Sequence, residues 1–212
     1  MQSLLLLLTL LLFLTGCASL VSPEIQAKTR EINRQGVQLI REDKWQEAEK
    51  IFYQSLKINP RDGAARNNLG FCYQKKGEFS QAIKEYQKAL KFSDDPVILR
   101  QAHLNLVNLY LDYKIKPELR QPDWPDEAVK HLEVLLRDEP NSAFLHLWLG
   151  FAYFQAVNPG GGFIELEKAS ELAQTKEDIW IHERIMNFYL QMHLPDKAKI
   201  EEKIIEELNA QS

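Results

Sequence analysis

Gly36 and Gly70 stand 34 residues apart, and so do Ala48 and Ala82, Phe52 and Tyr86, and Ser55 and Ala89. Four matched pairs at one interval mark a repeating chain. A period of this length means stacked supersecondary units, none of which buries its apolar face alone. Within the interval 63–96 the apolar residues keep helical spacing. Leu69, Gly70 and Tyr73 mark a first helix, and Ala82, Tyr86 and Ala89 a second. Gly77 and Glu78 form the break between them, and Ser80 is placed to cap the new start. Small residues recur where neighbouring helices cross closely, and larger ones fill the gaps beside them. Pro60 closes the first interval, because proline cannot continue an interior helix.

These residues resemble the tetratricopeptide repeat family. The first unit, 29–62, supplies Ile32, Gly36, Leu39, Ala48, Phe52, Ser55 and Pro60, and the second, 63–96, supplies the six residues named above. A stretched third unit, 100–142, runs from Leu106, Val107 and Tyr110 to Ala128, Leu132, Leu135 and Pro140. An enlarged turn from Lys114 to Pro125 interrupts it. The fourth, 143–176, shows Leu149, Gly150, Tyr153, Leu166 and Ala169, with Gly162 where alanine is expected. The fifth, 179–212, keeps Ile185, Tyr189 and Ala198, then a charged helix from Asp196 to Leu208 that suits the closing end of an array. The resemblance implies an all-α domain over 29–212, a right-handed superhelical solenoid of antiparallel helix pairs.

The amino end carries a second signal. Leu4 to Leu14 is apolar except for Thr9, too short for a permanent membrane helix and right for a signal-peptide core. Leu14-Thr15-Gly16-Cys17 matches the lipobox of bacterial lipoproteins. The expectation is a signal peptide over 1–16, acylated Cys17 anchoring the protein in a lipid bilayer, and a tether over 17–28. Ala18, in place of an inner-membrane-retaining aspartate, implies the outer membrane with the body facing the periplasm. Lys and Arg number 26 and Asp and Glu 30, so no basic footprint for nucleic acid exists. Cys72 is left without an intrachain partner and reads as a lone buried thiol.

In this family the first helix of each pair lines the concave face. Carried over by repeat position, Asn33, Asn67 and Asn108 fall along one groove beside Phe71. Two readings of the amides stay open: they pair with the backbone of a bound peptide, or they are solvated and cap local turns. Phe144, Leu147, Phe151 and Phe154 form an apolar stripe on the fourth unit. Leu149, Gly150 and Tyr153 occupy the other side of that helix, so either the fifth pair folds over the stripe or a partner docks there. Asn33 and Val37 stand where a chaperone-tail clamp needs a basic residue and an asparagine, which argues against that ligand.

Nothing points to an enzyme, a metal or a cofactor. His103, His131, His146, His182 and His193 lack metal-ligand spacing, and Gly160 to Gly162 lacks the lysine of a phosphate loop. Glu201, Glu202, Glu206 and Glu207 read as a solvated acidic face. The expected function is a membrane-anchored protein–protein interaction scaffold assisting assembly of a cell-envelope machine. The lipobox, tether and array, with Asp95 to Arg100 leading into Asn105-Leu106, resemble the type IV pilus biogenesis and stability (pilotin) family. That likeness implies a secretin as the client. The alternatives are an adaptor for outer-membrane protein assembly or peptidoglycan hydrolases, and, from another class, an enzyme or solute-binding lipoprotein.

Overall fold

A computed structural model describes residues 21–210; the segment 1–16 expected as a signal peptide and the expected acylation site Cys17 lie outside the described residues. Among the described residues, ten α-helices follow one another in five pairs and no strand occurs. They are α1 (Pro23–Arg41) with α2 (Trp45–Ile58), α3 (Gly63–Lys75) with α4 (Phe79–Phe92), and α5 (Pro96–Tyr110) with α6 (Trp124–Asp138). Then come α7 (Ala143–Gln155) with α8 (Pro159–Leu172), and α9 (Ile179–Gln191) with α10 (Pro195–Ala210). Each pair lies mostly within one expected unit.

Three boundaries differ from expectation. α5 begins at Pro96, ahead of the expected start of its unit at 100. α1 begins at Pro23, so residues 23–28 belong to the first helix and not to the tether. Proline suits a first turn, where its missing N–H has no helical partner to lose. Ser22 completes the start, its Oγ accepting from the Ile25 N–H at 3.3 Å. α4 begins at Phe79 with Glu78 at the cap position, so Ser80 lies inside the first turn and caps nothing. Side-chain caps do open α3, α5 and α7, at Asp62, Asp95 and Ser142.

The period is imposed by close crossings. A Cβ built on Gly36 would sit 2.5 Å from the ring of Phe52, one on Gly70 2.7 Å from Tyr86, and one on Gly150 2.7 Å from Leu166. In each case the small residue lets the two helices of one unit touch. A turn residue repeats as well: Asp43, Gly77, Val157 and His193 all take left-handed backbone angles, with φ of 57°, 78°, 58° and 56°. Each sits two residues beyond the end of its unit's first helix. The third unit replaces that turn by its insertion, which is anchored and not loose. Ile115 and Trp124 are buried, Trp124 packs 5.7 Å from Tyr110, and Arg120 donates to Gln155 Oε1 on α7 at 2.8 Å.

Two apolar cores result, and α7 divides them. Leu145, Leu149 and Ala152 face back into the core of units one to three. Leu147 faces forward into a second core with Leu166, Ala169, Ile181, Ile185 and Tyr189. This double duty is why α7 is apolar all round.

Candidate functional site

Contacts between first helices recur from α1 to α3, α3 to α5 and α7 to α9, which places these helices on the inner side of the bend. An open hollow of about 880 Å³ along α1 is lined by Arg30, Asn33, Val37 and Ala64, of which Asn33 is an expected groove residue.

The three asparagines do not act together. Asn33 is buried, and its Nδ2 donates to Asp62 Oδ2 at 2.9 Å. The same Oδ2 accepts from Ser55 Oγ at 2.9 Å, while Oδ1 caps the Ala65 N–H at 3.0 Å. Asp62 therefore knots α1, α2 and α3, and Asn33 serves that knot. Asn67 is also buried and accepts from Asn105 Nδ2, not from Asn108, at 2.9 Å. Asn108 is exposed. The reason is local: Asp62 at the cap of α3 takes the amide of Asn33, and Asn105 in the body of α5 takes that of Asn67. Phe71 does remain on the inner side, half-buried, edge-on to Trp45 at 5.9 Å, with the Lys75 ammonium 5.2 Å from its ring centre.

The stripe on α7 divides. Leu147 is buried in the second core, while Phe151 and Phe154 pack on Phe188 of α9 at 5.4 and 4.6 Å. The fifth pair covers these three, so they form no open groove. Phe144 stays half-buried between two rings that the sequence reading did not single out: Trp148 at 6.3 Å and Trp180 at 6.2 Å. Trp180 is 40% exposed. The open aromatic surface is thus a wall of Phe144, Trp148 and Trp180, built by two successive first helices. Its sequence signal was that Phe144 and Trp180 hold the same place, the second residue of their helices.

A row of paired basic and acidic side chains was also missed. Arg66 donates to Glu85 Oε2 at 2.7 Å and to the Pro60 carbonyl at 2.8 Å. His146 Nδ1 lies 2.5 Å from Glu165 Oε2, with its Nε2 3.0 Å from the Pro140 carbonyl. His182 Nδ1 lies 2.7 Å from Glu201 Oε2, with its Nε2 2.8 Å from the Ala173 carbonyl. In all three units the partners are 19 residues apart, basic group first. Glu201 is therefore not part of a solvated acidic face; it is buried against His182 and Ser170. In the third unit His103 and His131 face each other, Nδ1 to Nδ1, at 2.8 Å. Burial, with the neighbouring His103 and Lys130, pulls His131 down to about 4.

Cys72 is fully buried, and burial pushes its thiol up to about 12, an unreactive state. Among the described residues no three His, Cys, Asp or Glu side chains gather as a metal site, and no helix is long and apolar enough to cross a membrane.

Residues 39–104 match the sequence pattern of a tetratricopeptide repeat family. Over 69 residues the chain is 30% identical to Hsp70-Hsp90 organizing protein 1 of Glycine max, covering 32% of this chain. It spans only 12% of the length of that relative. Among solved structures, MamA (41-end) from Desulfovibrio magneticus RS-1 superposes with a TM-score of 0.65 at 17% identity, covering 91% of this chain and 99% of that one. A thermophilic TPR protein of Thermus thermophilus gives 0.54 at 23% identity, covering 86% and 93%. The fold is an all-α solenoid of tetratricopeptide type.

Proposed function

We propose that the chain is a protein–protein interaction scaffold that holds a segment of a partner polypeptide against the inner face of its first helices. One observation carries this reading: the wall of Phe144, Trp148 and Trp180 stays partly open although the fifth pair covers the rest of the same stripe. Aromatic rings offer large contact area at small conformational cost, and such anchors dominate binding energy in protein interfaces. The exposed amide of Asn108 adds a donor and an acceptor on the same series of helices.

The scaffold is tethered by an acylated Cys17 to the outer membrane and faces the periplasm; the lipobox and Ala18 support this part. Its client is a protein of a cell-envelope machine, and the resemblance to pilotins supports a pilus secretin. The mechanism is passive: the inner face holds the client while the lipid fixes where it is held.

A pull-down from envelope extract with the full chain, compared with Phe144→Ala/Trp180→Ala, tests the binding face. Loss of two anchors weakens capture by roughly 30-fold or more; equal capture by both proteins refutes the wall as the docking surface. Cys17→Ser tests the anchor and is expected to move the protein from the membrane pellet to the soluble fraction. For the client, deletion of the gene is expected to deplete secretin multimers, and normal multimer levels rule that client out.

A further inference from the structure

Beside the second apolar core, a buried imidazole joins the fifth pair to the array. His182, on α9, is fully buried. Its Nδ1 faces Glu201 Oε2 on α10 and its Nε2 faces the Ala173 carbonyl at the end of α8, at 2.7 and 2.8 Å. Both neighbours only accept. A neutral imidazole has one N–H, so it satisfies one of them and turns a lone pair toward the other; an imidazolium satisfies both. The surrounding groups favour the cation. Glu201 also accepts from Ser170 Oγ of α8 at 3.1 Å, and Asp178 at the foot of α9 adds negative charge. Tyr189 on α9, its phenol pushed up to about 12 by burial, stays neutral. Lys197 and Glu167 form a second link between α10 and α8 at 2.6 Å, but that pair lies at the surface.

We propose that protonated His182 is a latch that holds α9 and α10 against α8, and that loss of its proton loosens the fifth pair from Leu147, Phe151 and Phe154 of α7. Burial by itself lowers the pKa of His182. The hydrogen bonds to Glu201 and Ala173, with the charges of Glu201 and Asp178, outweigh burial and raise it above the ordinary value. A pKa higher in the folded than in the unfolded chain gives stability that is complete below the ordinary histidine value of about 6.5. That stability disappears as pH rises through the folded value. Arg66 holds the same place in the second unit and keeps its charge throughout, so α3–α4 is the reference that this titration does not touch. Trp180 stands two residues before His182, so the latch also sets one side of the aromatic wall. That consequence rests on the proposed binding face, whereas the latch itself is tested without any partner.

The test is hydrogen exchange of the full chain from pH 6 to 9, with exposure times scaled for the base-catalysed intrinsic rate. The quantity read is protection of α9–α10 relative to α3–α4. It is expected to fall as the latch titrates, by no more than about tenfold per pH unit, the limit for a single proton. Glu201→Gln supplies an amide that donates to the lone pair of neutral His182, so this variant is expected to reverse the order, protected at pH 9 and loosened at pH 6. His182→Arg, which copies the second unit, is expected to give protection that does not change with pH. A wild-type ratio flat across the range overturns the proposal. So does a Glu201→Gln or His182→Arg protein that keeps the wild-type pH response.

Discussion

Arg66 in the second unit and His182 in the fifth occupy the same turn of their first helices, and each spans a glutamate 19 residues on and a backbone carbonyl of the connection before it. Their surroundings differ. Arg66 lies partly at the surface, against the ring of Phe92 at 5.6 Å, and Glu85 has a second cation in Lys88 at 2.6 Å. His182 has no solvent exposure. The repeat thus fixes where a cation is needed, while residue identity fixes when the cation exists. Guanidinium is charged at every accessible pH, imidazolium only on the acid side of its own titration. The same bracket is permanent near one end of the solenoid and conditional at the other.

The comparison breaks most visibly when the acid is removed. At pH 6, Glu201→Ala leaves a buried imidazolium without a counter-charge, and the fifth pair is expected to lose about 3–5 kcal/mol. Glu85→Ala in the second unit is expected to cost only about 1–2 kcal/mol, since Arg66 keeps the Pro60 carbonyl and reaches water. Local exchange of α9–α10 and of α3–α4 measures the two; equal costs would mean that burial does not separate the brackets. Next in size is helix crossing. A Cβ on Gly70 already meets Tyr86 at 2.7 Å and the Ala82 carbonyl at 3.2 Å, so Gly70→Val is expected to cost about 3 kcal/mol. Met186 is the eighth residue of α9 as Gly70 is of α3. Met186→Val should cost less than about 1.5 kcal/mol in urea unfolding, because the crossing there is already spaced for a long side chain.

The helix pairs were legible because each rests on local signals: apolar spacing, a small residue at the crossings of the first, second and fourth units, a proline or polar residue at helix ends. Gly36 facing Phe52 and Gly70 facing Tyr86 show the period at work. What covers α7 was not legible, since an all-round apolar helix names no side, and the unit that covers it has the weakest pattern. The asparagine groove failed for a different reason. Repeat position places Asn33 and Asn67 on the inner side, but the partners that claim them, Asp62 and Asn105, lie outside the repeated positions. The charged pairs did leave a signal in the constant spacing of Arg66–Glu85, His146–Glu165 and His182–Glu201. Histidines judged only for metal spacing concealed it.

The third unit sharpens the comparison by reversing its sign. His103 and His131 lie 2.8 Å apart, and burial lowers the pKa of both, outweighing the charges of Asp138 and Glu127 nearby. Only one of the two rings donates, and a second proton would set two cations face to face. A folded pKa below the unfolded one removes stability as pH falls from about 6.5 toward about 4, the value of His131. Acid should therefore cost α5–α6 about 2 kcal/mol while leaving the His182 bracket intact. His131→Phe, which fills the same space without a titrating ring, is expected to abolish this loss. If the protection of α5–α6 in wild type, scaled for the intrinsic exchange rate, does not fall between about pH 6.5 and about 4, the pair is not the acid-sensitive point.

The smallest effect concerns the turn shared by four units. Gly77 adopts φ of 78° at no steric cost, and a Cβ there would meet nothing within 4 Å. Val157 adopts φ of 58° at the matching place with a branched side chain that is 87% exposed, so it packs against almost nothing in return. A left-handed conformation costs an L-residue about 1–2 kcal/mol, and a β-branched side chain sits at the upper end. Glycine removes that strain but gives the unfolded chain more freedom, which offsets up to about 1 kcal/mol. Val157→Gly is therefore expected to stabilise by about 0.5–1 kcal/mol, a rise of about 2 °C in the thermal midpoint. Gly77→Val should destabilise by a similar or larger amount. If Val157→Gly instead lowered the midpoint, the exposed valine would be holding the fourth unit's turn through something other than its backbone, and the two turns would not be equivalent.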